Sequence, residues 1–237
     1  MTQLLYLKDH YLKEFEALIT ELVEPKKIIL DQSAFYYTSG GQQNDTGTIT
    51  KNNQEFKVIN VYKEQGKIIH EVDKEGLQKS DKIKGNLDWQ RRYKLMKAHT
   101  AAHIISEVIH KETNALITGN QLSEEKIRID FSLEDFNKEK LQNYVEEANK
   151  IIQKDLKITT EVLPREEAEK LPKISKLAKG LPESLKELRI VKIGDFDLQA
   201  DAGTHINSTK EIGKLTFLKA ENKGKNNRRV YFKVEDG

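Results

Sequence analysis

His99 and His103, in His99-Thr100-Ala101-Ala102-His103, have the residue type and spacing that suit metal chemistry. Four residues apart on a helix, both rings lie on one face and can converge on one point. Zinc takes adjacent imidazole ligands in this way. The segment departs from the helical metalloprotease motif, in which glutamate follows the first histidine as general base; Thr100 stands there instead. The plainer reading is a pair of hydrogen-bonded histidines on an apolar helix face. A second stretch, Gln199-Ala200-Asp201-Ala202-Gly203-Thr204-His205, sets Asp201 and His205 on either side of small residues, which let a chain wrap closely around a site. His99, His103, Asp201 and His205 together offer nitrogen and carboxylate donors in a number zinc accepts. Read otherwise, Asp201 and His205 form a loop ion pair or cap. A third stretch, Ser39-Gly40-Gly41-Gln42-Gln43-Asn44-Asp45-Thr46-Gly47, is glycine-rich and polar. Such a loop can approach a ligand or cradle phosphate oxygens, and a simple hairpin turn accounts for it equally well.

Periodicity indicates the elements that must position these residues. To about residue 88 the chain reads as short β-branched runs at 28–30, 58–62, 67–72 and 82–85, separated by turn residues. Several short strands at this spacing predict a small barrel. The opening segment is compatible with strand or helix. From residue 89 the period changes. Asp88 can cap a helix starting near Trp89, and Leu95, Met96, Ala102, Ile105, Val108 and Ile109 recur at helical spacing. Residues 127–131 alternate like a strand. Ser132, with Glu134 and Asp135 after it, predicts the start of a second helix. Strands are expected again at 158–162, 188–193, 214–220 and 230–234. The expected fold class is α+β: an N-terminal barrel domain over 1–88 carrying the glycine-rich loop, then an α+β domain over 89–237 carrying the histidine helix. Residues 171–186 hold Pro172, Gly180, Pro182 and several lysines, and predict a mobile, basic connection.

Composition narrows the function classes. The chain has 40 Lys and Arg against 38 Asp and Glu, a net charge of +2. That near balance makes clustering, not total charge, the guide to partners. One basic group comprises Lys170, Lys173, Lys176, Lys179 and Lys186. A second comprises Lys219, Lys223, Lys225, Arg228 and Arg229. Clustered cations can bind phosphates, and on a lysine-rich chain they can equally be solvated surface. There is no cysteine, which excludes disulfides and thiolate metal sites. No apolar run approaches membrane-spanning length, and the first residues lack a secretory layout. These features predict a soluble, cytoplasmic protein with no membrane partner.

The three motifs, in this order, resemble the alanyl-tRNA editing family, which comprises the editing domain of alanyl-tRNA synthetase and its free-standing relatives. His99 and His103 match its zinc-binding H-x-x-x-H helix. Asp201-Ala202-Gly203-Thr204-His205 matches its later C-x-G-T-H loop. Phe35-Tyr36, Gly40-Gly41-Gln42, Asp45 and Gly47 match its glycine-rich motif. Asp88-Trp89-Gln90-Arg91-Arg92-Tyr93, Ile129-Asp130-Phe131-Ser132 and Thr209-Lys210-Glu211-Ile212-Gly213 agree as flanking stretches. The likeness covers nearly the whole chain and is similar to the medium-length free-standing type. No stretch resembles a synthetase catalytic domain. Three positions depart from the family pattern: Asp201 stands where many members have a cysteine ligand, Ser39 where the loop has a glycine, and Lys97 where arginine is common.

The resemblance implies a zinc-dependent aminoacyl-tRNA hydrolase that removes serine or glycine from mischarged tRNA(Ala) and spares alanine. Its metal ligands would be His99, His103, Asp201 and His205, with Asp201 binding directly or through water. Zinc would either activate water or anchor the substrate. A site that hydrogen-bonds the serine hydroxyl rejects alanine, because its polar groups are otherwise left unpaired. Thr100, Thr204 and Gln42 are the candidates for that contact, and Gln42 can instead orient water or the terminal adenosine. Lys176, Lys179, Lys223, Lys225, Arg228 and Arg229 are the candidate tRNA contacts. The alternative is a non-catalytic tRNA-binding protein with a structural zinc. The tripeptide Gly40-Gly41-Gln42 also occurs in peptide release factors, which would have no use for the histidine cluster.

Overall fold

In Glu14–Glu24, Phe15, Ala17 and Ile19 are buried while Glu14, Glu16, Leu18 and Thr20 between and beside them face solvent. This is the period-two pattern of a strand with one face in a core. The segment is one stave of a closed barrel in a computed structural model that describes residues 2–134, 137–172 and 174–235. The first eight strands are β1 (Gln3–Leu4), β2 (Glu14–Glu24), β3 (Lys27–Leu30), β4 (Gln32–Ser33), β5 (Gly47–Lys51), β6 (Gln54–Glu64), β7 (Lys67–Val72) and β8 (Lys82–Leu87). Six of them close in the order β2-β3-β7-β6-β5-β8, all antiparallel. Closure leaves no unpaired edge. Ile19, Ile28, Leu30, Ile49, Phe56 and Val61 fill the interior and are fully buried. The opening segment, ambiguous in sequence, is a short 3-10 turn at Leu5–Leu7 followed by β2.

Helix α1 (Trp89–Thr113) follows β8. Asp88 caps it, its Oδ1 accepting from the Arg91 amide at 3.2 Å. The described residues fall into two compact units that divide at residues 95 and 96. The first turn of α1 is tied into the barrel unit, because Arg92 is fully buried there against Asp45.

The second unit contains the rest of α1, β9 (Ile117–Leu122), β10 (Ile127–Phe131), α2 (Lys138–Gln153), β11 (Ile158–Pro164), α3 (Arg165–Ala168), β12 (Glu187–Ile193), β13 (Asp197–Ala200), β14 (Lys214–Asn222) and β15 (Arg228–Glu235). Two antiparallel sheets result, β14-β15-β10-β9 and β11-β12-β13. The molecule is thus α+β with a closed barrel. Along α1, residues Leu95, Met96, Ala101, Ile104, Ile105 and Ile109 are all buried. Every residue from Ala98 to His110 is buried, polar ones included, so this part of the helix runs inside a core, and each large aliphatic buried there contributes about 2 kcal/mol. The helix is therefore a rigid mount for the side chains it carries. Among the described residues no helix is long and apolar enough to cross a membrane.

Two local expectations need correction. Ser132 does not cap α2; Asn137 does, accepting from the Lys140 amide at 2.7 Å. The Ser132 hydroxyl instead accepts from the Leu116 amide. Asp135 lies outside the described residues. The 171–186 connection is not a loose basic tether. Lys176 O accepts from Ile117 N, Ile117 O from Ala178 N, and Ile174 O from Ala200 N, and the Lys176 side chain is buried. Lys173 lies outside the described residues.

Candidate metal centre

Four side chains from two stretches of chain meet inside the second unit. α1 supplies His99 and His103. The turn after β13 supplies Asp201 and His205. Their potential ligand atoms all lie within 4.8 Å of one another. His99 Nε2 is 3.4 Å and His205 Nε2 3.1 Å from the two oxygens of Asp201. A tetrahedral ion with ligands near 2.0–2.1 Å needs donors roughly 3.3 Å apart, so these separations fit zinc. The donor set also excludes a soft-metal thiolate site and is too nitrogen-rich for magnesium or calcium.

The electrostatics favour the ligand forms. All three imidazoles are buried. Burial pushes the His205 pKa well below the usual histidine value, against the opposing pull of Asp201. The ring is therefore neutral, the state in which imidazole binds a metal. Burial also works to raise Asp201, but the imidazoles of His99 and His205 outweigh it and hold the carboxyl well below its ordinary range. Asp201 is thus an anion beside a neutral His205.

Hydrogen bonds set the ring orientations. The Thr100 hydroxyl donates to Met96 O at 3.0 Å. It is then left to accept from His205 Nδ1 at 3.1 Å. With a metal ion between Nε2 and Asp201, that bond would put the His205 proton on Nδ1 and leave the Nε2 lone pair to the ion. His103 Nδ1 faces Asp197 Oδ2 at 3.2 Å, which leaves its Nε2 for the cluster.

The Asp201–His205 turn is built around these contacts. Asp201 Oδ1 accepts from Gly203 N at 2.6 Å. Arg189, on β12, donates to Asp201 O and Gly203 O at 3.0 and 3.1 Å. A Cβ on Gly203 would lie 2.1 Å from His99 Cε1 and 2.3 Å from its Nδ1, so only glycine leaves room for the ring. Downstream, Ser208 and Glu211 form a capping box on the turn Thr209–Ile212. Thr209 Oγ1 donates to Ile152 O and accepts from Leu156 N. The Thr209-Lys210-Glu211-Ile212-Gly213 stretch thus bolts the end of the ligand loop to the end of α2 and the residues after it.

The structure places the other candidates as follows. The Thr100 hydroxyl is engaged by Met96 O and His205 Nδ1, which makes it a positioning group for the His205 ring. Thr204 is fully buried beside His205 in the chain. Gln42 is fully buried in the barrel unit, at the foot of a two-residue hairpin in which Ser39 and Gln42 exchange backbone bonds. The glycine-rich motif closes on itself: Asp45 accepts from Tyr36 N and from Arg92, whose guanidinium also donates to His10 O and Ala34 O. Lys179, Lys223 and Lys225 are exposed. Lys176 is corrected from a surface cation to a buried one, paired with Glu107 and Asp197. Arg228 is likewise buried, its guanidinium spent on Gly224 O, Asn227 O and Glu134 O. Arg229 is engaged bidentately by Asp130 at 2.7 and 2.8 Å.

Sequence reading missed Arg189 and Asp197. For Asp197 a signal existed: in β13, Asp197 and Gln199 alternate with Leu198 and Ala200, and the polar pair is on the more buried face. Polar residues on the buried side of a strand mark a network.

Comparison with known proteins agrees with this arrangement. A family model described as tRNA synthetases class II (A) matches residues 5–91, the barrel unit. A second, described as the threonyl and alanyl tRNA synthetase second additional domain, matches residues 188–231, which include Asp201 and His205. The alanyl-tRNA editing protein AlaX-M of Methanosarcina barkeri is 44% identical over the whole length of both chains. Its counterpart from Saccharolobus solfataricus is 44% identical over 99% of this chain and all of that one. The alanine–tRNA ligase of Pyrococcus abyssi is 37% identical over 93% of this chain but only 24% of the ligase.

Proposed function

This chain belongs to the family of alanyl-tRNA editing proteins of the AlaX-M type, and from that premise we propose that it hydrolyses mischarged tRNA(Ala), removing serine or glycine, with a zinc ion held by His99, His103, Asp201 and His205. The observation that supports this reading most directly is the meeting of four donors within 4.8 Å, two of which, Asp201 and His205, lie in the stretch that matches the editing-domain model. Bound there, zinc supplies a Lewis acid able to polarise a carbonyl or lower the pKa of a water.

The reaction is an ester hydrolysis. A water oxygen bonds to the aminoacyl carbonyl carbon, the bond to the terminal ribose oxygen breaks, and the ribose oxygen leaves with a proton. The chain's own residues prepare the site. His99, His103, His205 and Asp201 bring their donor atoms to one point. Thr100 fixes the His205 tautomer, and Arg189 holds the loop carbonyls, so little reorganisation is needed when substrate binds. Thr100, Thr204 and Gln42, all three fully buried, are the candidate partners for the serine hydroxyl, and Gln42 can instead orient water or the terminal adenosine. Exposed Lys179, Lys223 and Lys225 are the cations we assign to tRNA phosphates, an attraction that salt weakens. The work is cytoplasmic, where tRNA is charged.

The test is deacylation of seryl-, glycyl- and alanyl-tRNA(Ala) by purified protein, with zinc measured on the same sample. Expected are loss of serine or glycine, retention of alanine, and near-stoichiometric zinc. His103→Ala should abolish hydrolysis and leave tRNA binding largely intact; full activity in that variant removes zinc from the mechanism. Bound zinc without hydrolysis of any of the three substrates supports the second reading, a tRNA-binding protein with a structural metal.

A further inference from the structure

A buried chain of charges runs away from the cluster on the side of His103. Asp197 Oδ2 is 3.2 Å from His103 Nδ1, and the Asp197 side chain is only 1% exposed. Its other oxygen is 2.5 Å from Lys176 Nζ. Lys176, 2% exposed, also meets Glu107 Oε2 at 2.7 Å. Glu107 lies one helical turn beyond His103 on α1 and pairs in turn with Lys111 at 3.2 Å. Gln199 Nε2 donates to Asp197 Oδ2 at 2.8 Å.

These contacts decide where the His103 proton sits. An anionic carboxylate can only accept, so the ring nitrogen facing it must carry hydrogen. Turning the Gln199 amide over would aim its oxygen at the same carboxylate, which is repulsive; Gln199 Nε2 therefore donates to Asp197, and its 3.3 Å approach to His103 Nδ1 is a contact only. The His103 proton is on Nδ1, and Nε2 is left to face His99, Asp201 and His205. The arrangement is costly as a stabilising device. Buried ion pairs of this kind are commonly matched or bettered by apolar side chains of similar volume. Its geometry has a use beyond stability, because a carboxylate behind a ligating histidine fixes the ring and raises its basicity. At His205 the Nδ1 position faces a neutral group, the Thr100 hydroxyl.

We propose that Asp197 is the positioning residue for His103, and that Lys176, brought in by the 171–186 connection, clamps Asp197 so that the metal affinity of the cluster depends on a segment that supplies no ligand. The inference rests on the reading of the cluster as a metal site. It accounts for the burial of a lysine in a connection that composition alone marks as solvent-exposed.

The experiment measures zinc affinity by competition with a chelating dye, and the visible absorption of the cobalt(II)-substituted protein, for the wild-type chain and two variants. Asp197→Asn should bind zinc roughly 10–100-fold more weakly and shift the cobalt bands, which report ligand geometry and which a merely structural role would leave in place. Lys176→Met combined with Glu107→Gln removes one charge of each sign, keeps the Asp197 carboxylate and loses its clamp; it should shift both readouts in the same direction by a smaller factor. Circular dichroism checks that each variant is folded. A folded Asp197→Asn protein with wild-type affinity and an unchanged cobalt spectrum overturns the proposal. Should that variant not fold, unchanged affinity and spectrum in the double variant overturn it equally. A wild-type protein that takes up neither ion overturns the metal reading and this inference together, whereas wild-type uptake with unaffected variants overturns this inference alone.

Discussion

Gly40 and Gly203 both sit in tight loops of motifs that mark places of close approach, and they are glycine for opposite reasons. Gly40, in the barrel unit, has φ of +56°, and a Cβ there would meet nothing within 4 Å. It is needed for a backbone conformation: with Gly41 at φ +85° it forms the two-residue hairpin between Ser39 and Gln42. Gly203 has no left-handed φ but has His99 where its Cβ would be. It is needed for space. The same contrast runs through the two units. His70 is buried in the barrel with Ser33 Oγ at 2.8 Å, a histidine used for packing; His205 is buried with Nε2 3.1 Å from Asp201 Oδ1, among the other candidate ligands. The Arg92–Asp45 pair in the barrel ends in backbone carbonyls, whereas the Lys176–Asp197 pair ends on a candidate ligand. Similar ingredients are spent on closure in one unit and on an open coordination point in the other.

The sharpest way to break this comparison is Gly203→Ala. A methyl 2.1 Å from the His99 ring forces ring or loop to shift by about an ångström, a displacement that can cost 10²-fold in activity. Zinc content and seryl-tRNA(Ala) deacylation should both collapse. Trp89, the chain's only tryptophan, lies in the barrel unit stacked on Tyr93, and the unfolding it reports should be nearly unchanged. Retained zinc and activity would mean that the loop has slack that the contact with His99 does not suggest.

Next in size is Arg92→Met. It leaves the Asp45 carboxylate buried without its cation, and breaking a buried pair from one side costs roughly 3–5 kcal/mol. Denaturant unfolding followed by Trp89 fluorescence should show that loss, while zinc affinity of the folded protein stays as in wild type. A loss below about 1 kcal/mol would put the pair in the class of exposed salt bridges, against its complete burial.

How much of this was legible in sequence depends on whether the signal is local. The His99–His103 spacing, the Asp88 cap and the apolar residues of α1 lie within a few turns of one another, and the structure has that helix. The 127–131 strand is likewise a local alternation, and 188–193 a local run rich in β-branched residues. Strand β2 is ambiguous in sequence because its glutamates, alanine and leucines suit a helix as well, and only the alternation of Phe15, Ala17 and Ile19 argues otherwise. β5, β9 and β13 are short and polar, and take their form from neighbouring strands. Asp197, Arg189 and Lys176 act across 94, 14 and 21 positions of sequence respectively, distances over which composition carries no information. Lys176 in particular reads as one more surface lysine until Glu107 and Asp197 are seen around it.

The contrast between the two buried histidines has a pH signature. Burial lowers the His70 pKa from 6.5 to about 4, against a smaller raising effect from the Ile28 backbone. The unfolded chain therefore binds a proton that the barrel refuses between those values. Stability of the barrel is complete above about pH 6.5 and falls as pH drops toward 4, by at most about 3 kcal/mol from this group. His70→Gln, which keeps a polar partner for Ser33 and cannot titrate, should flatten that part of the unfolding profile read by Trp89. Equal pH slopes for variant and wild type would place the titration elsewhere.

The smallest effect expected is that of Gly40→Ala, and it returns to the difference between the two glycines. The left-handed conformation costs an L-residue about 1–2 kcal/mol, and alanine recovers about 0.4–1 kcal/mol by restricting the unfolded chain. With nothing within 4 Å of the new methyl, the net loss should be about 1 kcal/mol in Trp89-monitored unfolding, with zinc content unchanged. Gly40→Asn should lose less, because asparagine enters the left-handed region more readily. If conformation is the whole requirement at residue 40, that order of stabilities, glycine above asparagine above alanine, follows. At residue 203 it cannot follow, because any Cβ meets His99 before its backbone preference matters.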